Sequence, residues 1–149
     1  MNDDFSILEK KINYSFKDKT LLKIALTHKT YAFEADEPID YNERLEFLGD
    51  SILNFTVSKE LYKKNKYFSE GELTRRRAQL VNNSLLAKKA LTFDIGSFLI
   101  LGKGATLQNV EKNNRNLANT LESIIGAIYI DSNMRTVESF IIKTLLKMR

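Results

Sequence analysis

The chain of 149 residues has no cysteine and no tryptophan, one proline (Pro38), one histidine (His28) and six glycines. Without cysteine there is no disulfide framework, no thiolate nucleophile and no cysteine-based zinc site; an intracellular, cytoplasmic setting is the expectation. One histidine is too few for the paired Glu-x-x-His motifs of a redox di-metal bundle. No run approaches ~18 consecutive apolar residues, and the opening MNDDFSILEK is acidic and lacks the apolar run of a signal peptide, so no membrane segment is expected. No Pro/Ser/Gly tract marks a linker and no segment repeats at a fixed period. With 43% hydrophobic residues, the expected organisation is one domain over residues 1–149.

The formal net charge is +4, but its distribution along the chain is uneven. Residues 31–50 carry seven acids against one base, Arg44, whereas residues 51–118 carry twelve bases and five acids. This split fits an anionic partner with a separate cation site, and equally fits ordinary solvated faces.

Helical periodicity dominates, giving an all-α expectation. Helices are expected over 5–12 and from Asp18, an N-cap, through KTLLKIALTH with Leu21, Leu22, Ala25 and Leu26 inward. Residues 32–41 read as a loop. A long central helix follows over 42–64, capped by Asn42 and burying Leu45, Leu48, Ile52 and Phe55. Ser69-Glu70-Gly71-Glu72 has the form of a capping box opening a helix through TRRRAQLVNNSLLAKKAL. The one strand signal lies at 98–101, followed by the loop LGKGATLQNVEKNN. NLANTLESIIGAIYID reads as a buried helix and 136–148 as a final amphipathic one.

Within NERLEFLGD, Glu43, Glu46 and Asp50 are spaced i, i+3 and i+7, placing them within roughly a 60° arc of one helix face. Like charges so spaced cost on the order of 0.2–0.5 kcal/mol per pair, which water, a base or a cation must offset. Asn119 and Glu122 have comparable spacing on the other buried helix. If the two helices pack side by side, Glu46, Asp50, Asn119 and Glu122 converge into an all-oxygen set suited to a hard cation such as Mg²⁺ or Mn²⁺. The alternative is exposed carboxylates on two helix surfaces, the usual place for Asp and Glu.

NERLEFLGDSILNF resembles the signature helix of the ribonuclease III endonucleases. ALTHKT, EGELTRRRAQLV and NLANTLESIIGAIYID continue the resemblance in the family's order over about residues 8–147. The resemblance implies that Glu46, Asp50 and Glu122 hold catalytic Mg²⁺, and that Asn119 stands where the family has an Asp. It also implies that Glu43 and Glu70 lie near the catalytic valley, associated with RNA contact and subunit pairing. The implied reaction is hydrolysis of double-stranded RNA by metal-activated water to 5′-phosphate and 3′-hydroxyl ends, carried out by a homodimer. A side-chain nucleophile is not required. Two departures accompany the match: Asn119 removes one negative charge from the cation site, so metal affinity and rate should fall, and bacterial relatives usually continue into a double-stranded-RNA-binding domain. A weakened relative that binds RNA or serves in assembly is the alternative reading.

Arg75, Arg76 and Arg77, with Lys63, Lys64 and Lys66, suit contact with RNA phosphates or a solvated helix face. Glu70 would also be favoured in a first helical turn by the macrodipole alone. His28 is expected to make a helix-end hydrogen bond. LGKGAT lacks phosphate-loop spacing, so no nucleotide cofactor is expected. Phe47, Phe55 and Tyr129 are expected in the core.

Overall fold

The computed structural model describes residues 4–146. The order is α1 (Ser6–Ile12), α2 (Lys19–Leu26), α3 (Lys29–Glu34), α4 (Glu43–Lys64), α5 (Glu70–Val81), α6 (Asn83–Thr92), α7 (Lys103–Leu107), α8 (Asn114–Asp131) and α9 (Met134–Ile141). Turns of 3-10 helix at Ile95–Phe98 and Val110–Lys112 and a π-helical turn at Ile142–Leu146 complete the described chain. The fold is all-α, as the periodicity predicts. Residues 147–148 of the last expected helix lie outside the described residues. Among those described, no helix is long and apolar enough to cross a membrane.

The centre of the molecule is α8, not α4 as the sequence suggests. From Leu117 to Ile128 every residue of α8 except Asn119 is buried, the pattern of a helix enclosed on all sides. α8 packs most extensively on α4, then on α6 and α2. Ser123 reaches out of it to donate a hydrogen bond to the Ala25 carbonyl oxygen at 2.6 Å, which satisfies a hydroxyl that would otherwise be costly to bury.

The closest packing lies where α4 crosses α8. A Cβ placed on Gly49 would lie 1.7 Å from the Glu122 carbonyl oxygen, and one on Gly126 would lie 2.3 Å from the Leu45 carbonyl oxygen. The two helices therefore touch backbone to backbone, an approach only glycine permits. Asp50, one residue from Gly49, and Glu122, four from Gly126, are positioned by this crossing.

Several local expectations are corrected. Asn42 occupies the N-cap position of α4 but has helical backbone angles and makes no capping hydrogen bond. Phe55 is 54% exposed and Phe47 77% exposed, so neither belongs to the core; Tyr129 does pack against it. The helix expected from Ser69 is two helices. Asn82 breaks it, with extended angles and a side chain that accepts from the Leu85 N–H at 2.9 Å, so a residue read as helix interior instead caps α6.

Residues 32–41 are only partly loop, because α3 runs to Glu34, and the expected 98–101 strand amounts to a single bridge between Thr27 and Ile100. That bridge carries two 2.9 Å bonds, from the His28 N–H to the Ile100 carbonyl and from the Ile100 N–H to the Leu26 carbonyl. The Asp18 cap is present, and so is the reciprocal capping box of Ser69 and Glu72.

Candidate metal centre

The first half of α4 and of α8, with the turn entering α3, enclose a cavity of about 650 Å³. Glu43, Glu46 and Asp50 line it from α4, and Asn119 and Glu122 from α8. Helical spacing aims each set from one side, and the glycine crossing brings the two sets together. Glu46, Asp50, Asn119 and Glu122, the set expected to converge if the two helices pack side by side, therefore line one cavity, and Glu43 lines it with them.

The electrostatics follow from burial and crowding. The Glu122 carboxyl is pushed up to about 8, first by burial, then by a hydrogen bond with Asp50 and by the negative charges of Asp50 and Glu46. Glu46 is also raised, by burial and then by the charge of Glu43, with Arg115 and Lys29 acting against the rise. Without a cation the cluster retains a proton near neutral pH, as expected where carboxylates share a confined site.

The donor set fits a hard divalent cation in kind: carboxylates of Glu46, Asp50 and Glu122 and the amide oxygen of Asn119. Among the described residues no three His, Cys, Asp or Glu side chains are gathered to hold a metal ion by themselves. Asp50 is steadied by Asn54, whose amide donates to the Asp50 Oδ1 at 3.1 Å and to its carbonyl oxygen at 2.8 Å.

Four cavity residues carry no site signal of their own in the sequence pattern. Lys29 and Arg115 bring positive charge to the rim, while His28 and Asn116 line the wall. His28 caps α3 through Nδ1, which accepts from the Thr30 N–H at 3.3 Å, as its expected helix-end role requires. Burial, then the charge of Lys29, holds the ring below its ordinary pKa, with Glu43 and Asn116 acting against the fall. Lys29 lies beside ALTHKT's histidine and Arg115 one helical turn before Asn119. That i, i+4 relation to a candidate ligand is the one signal that could find Arg115.

The remaining candidates lie elsewhere. Glu70 is exposed in the first turn of α5 and accepts from the Thr74 hydroxyl at 2.8 Å, a local role. Arg77 donates to the Ser58 Oγ at 2.9 Å and ties α5 to α4, and the Arg76 guanidinium lies 5.6 Å from the Phe68 ring centre. Arg75 and Arg76 are exposed. None of these four residues lines the carboxylate cavity.

Comparison with known proteins identifies the family. A family model described as Ribonuclease-III-like matches residues 18–148. The chain is 45% identical over 136 residues to a protein named Ribonuclease 3 of Buchnera aphidicola, covering 91% of this chain and 58% of that one. It is 44% identical to the Ribonuclease 3 of Aliivibrio fischeri over 142 residues, 95% of this chain and 61% of the relative. The chain thus spans roughly three fifths of the length of these relatives. The solved nuclease domain of ribonuclease III from Campylobacter jejuni superposes with a TM-score of 0.86 at 34% identity, covering 95% of this chain and 98% of that domain. On these grounds, the chain belongs to the ribonuclease III family and has the fold of its nuclease domain.

Proposed function

We propose that this chain is the catalytic domain of an endoribonuclease that hydrolyses phosphodiester bonds of double-stranded RNA, acting as a homodimer with Mg²⁺, for which Mn²⁺ substitutes. The observation that carries the reading is the shared cavity of Glu46, Asp50, Asn119 and Glu122 across the Gly49–Gly126 crossing. In this reading Asp50 and Glu122 are the principal carboxylate ligands, Glu46 adds negative charge beside them, and Asn119 offers an amide oxygen. A bound divalent cation supplies a water of lowered pKa and neutralises charge on the scissile phosphate and leaving oxygen.

The chain's own residues do the rest. Asn54 fixes the rotamer of Asp50 through its amide. Loss of the Glu122 proton frees an anionic ligand. Lys29 and Arg115, on the rim, meet the phosphates flanking the cut and screen the carboxylates from the RNA backbone. Glu43, exposed at the mouth, faces the 2′-hydroxyl side of an A-form groove, where an acceptor distinguishes RNA from DNA. Arg75 and Arg76 extend the contact along α5 by phosphate attraction, and Glu70 stays at its periphery.

The homodimer rests on the apolar groove beside the cavity, where Leu21, Leu45, Leu48 and Ile130 lie next to the exposed Phe47. The solved Campylobacter jejuni domain has a region involved in dimer formation. Asn119 favours a second reading, in which this relative binds structured RNA with cleavage reduced or lost. A cleavage assay on long RNA duplex with Mg²⁺ or Mn²⁺, beside single-stranded RNA and duplex DNA, separates the two. Metal-dependent cutting of duplex RNA alone supports the enzyme; binding without cutting under every condition supports the second reading.

A further inference from the structure

A second cavity, of about 550 Å³, opens between the end of α1, the end of α6 and α9. It lies toward the opposite end of α8 from the carboxylates: its wall includes Tyr14, whose hydroxyl donates to Asp131, the last residue of α8, at 2.6 Å. Asp131 is nine residues beyond Glu122, roughly 14 Å along a helix. The charge here is reversed. Lys11, Lys89, Arg135 and Lys143 line the cavity from separate parts of the chain, and among the described residues no acidic one does.

Lys11, Arg135 and Lys143 are exposed and Lys89 is half-buried. Two of these four have local roles: Lys11 pairs with Asp94 at 3.4 Å, and the Lys89 ammonium lies 5.3 Å from the Phe93 ring centre. Among the described residues, no carboxylate pairs with Arg135 or Lys143. Arg135 is also placed against its own helix. It sits in the first turn of α9, which has no acidic residue there, and the macrodipole disfavours a cation at that end. Phe93 and Phe140 stack at 6.5 Å in the same wall, both largely buried, and give the cavity an apolar floor.

We propose that this cavity is a binding site for a phosphate group, with Arg135 and Lys143 as its principal contacts and Lys11 and Lys89 completing the charge. Arg135 supplies the planar fork that matches phosphate oxygens, and the lysines act as point charges. The Ser139 hydroxyl in the cavity wall adds a neutral donor. The concave shape suits a compact or terminal phosphate better than the flank of a duplex. The phosphate can come from a small phosphorylated molecule or from the 5′ end of an RNA strand. This site is independent of the carboxylate cavity and of the reaction proposed there.

The test uses the whole chain, with inorganic pyrophosphate as probe and no divalent metal. Titration calorimetry should give saturable binding that weakens as salt rises, and backbone amide shifts should move in α9 and around Lys11 and Lys89. The Arg135→Ser/Lys143→Ser variant should lose at least tenfold in affinity while keeping its helical circular dichroism, and Lys143→Arg should retain binding. Competition by 5′-phosphorylated against 5′-hydroxyl RNA, beside a nucleoside diphosphate, identifies which source displaces the probe. Three results overturn the proposal: no saturable binding, unchanged affinity in the folded double variant, or amide shifts at Lys29 and Arg115 in place of α9.

Discussion

Gly49 and Glu122 meet across the α4–α8 crossing so closely that a methyl group on the glycine would lie 1.7 Å from the glutamate's carbonyl oxygen. The contact is with backbone, so a rotamer change cannot relieve it. The same contact holds Asp50, the next residue along α4, against the α8 side chains of the cavity. Core packing and site geometry therefore depend on one spacing.

Gly49→Ala forces the helices apart. Overpacking of a close core contact costs about 1–3 kcal/mol, and a backbone clash lies at the upper end, outweighing the ~1 kcal/mol that alanine gains in helix propensity. The expected outcome is a lower thermal midpoint together with loss of Mg²⁺-induced stabilisation, read by thermal unfolding with and without metal. An unchanged midpoint would show that the crossing has slack.

Asp131 gives a separate acid-sensitive anchor. Partial burial works to raise its pKa, but hydrogen bonds from the Tyr14 hydroxyl and from the Asp18 and Lys17 N–H groups outweigh it, so the folded value lies below the ordinary 3.8. The anchor joins the α1–α2 turn to the end of α8. A depressed carboxylate contributes stability that is present above its unfolded value and lost as pH falls through the folded one. Asp131→Asn should lower the urea midpoint at neutral pH, and the difference from the parent should close as pH drops below about 4. A constant difference across that range would exclude an ionic contribution.

Glu122 acts in the opposite sense. Its folded value of about 8 lies above the ordinary 4.5, so the metal-free folded chain holds a proton that the unfolded chain releases. Stability from this proton is full below the unfolded value and lost as pH rises through the folded one. The metal-free midpoint should therefore fall between about pH 5 and 8, and Glu122→Gln should flatten the fall. Mg²⁺ should stabilise most at the alkaline end, because a ligand must lose its proton before a cation replaces it. Equal Mg²⁺ stabilisation at pH 6 and 8 would count against Glu122 as a ligand.

On the basic surface of α5 Arg77 is engaged with Ser58, which leaves Arg75 and Arg76 free to meet phosphates. Arg75→Ala/Arg76→Ala should weaken duplex binding and reduce its salt dependence while leaving the fold intact. Each lost phosphate contact should lower the slope of log affinity against log salt by roughly 1. An unchanged slope would locate the RNA contact elsewhere.

The features legible in the sequence are those that local spacing controls. Glu46 and Asp50 share a helix face by arithmetic, as do Asn119 and Glu122, and Ser69 with Glu72 reads as a cap because both partners lie within one turn. Asn82 reads as helix interior because an N-cap in the middle of a polar run has no distinguishing neighbours until its side chain is seen on the Leu85 N–H. Residue type alone points Phe47 and Phe55 inward, whereas the glycine crossing turns other faces of α4 onto α8. Lys29 and Arg115 reach the cavity from separate elements, and their approach is fixed only by how α3 and α8 are docked. The proximity of Gly49 to Gly126 is likewise tertiary, since a glycine within a helix marks a kink or a helix end as readily as a close crossing.

Asn119 tests the site most directly. It lines the cavity with Asp50, Glu46 and Glu122, and changing it to Asp alters charge with almost no change in size. Without metal, a fourth carboxylate adds repulsion to a cluster that already holds a proton, so Asn119→Asp should lower the metal-free midpoint. With metal the sign reverses, because a charged oxygen replaces a neutral one opposite the cation. Mg²⁺ should then bind at lower concentration, and duplex cleavage should rise by one or more powers of ten, each about 1.4 kcal/mol of barrier. Asp50→Ala or Glu122→Ala should abolish cleavage in either background, since each removes a ligand oxygen together with its charge. Parallel Mg²⁺ titrations of parent and variant, following both cleavage and thermal midpoint, distinguish the possibilities. A variant that needs as much metal and cuts no faster removes Asn119 from the metal site; one that binds Mg²⁺ more tightly yet leaves duplex RNA uncut keeps the site and transfers the protein to the RNA-binding reading.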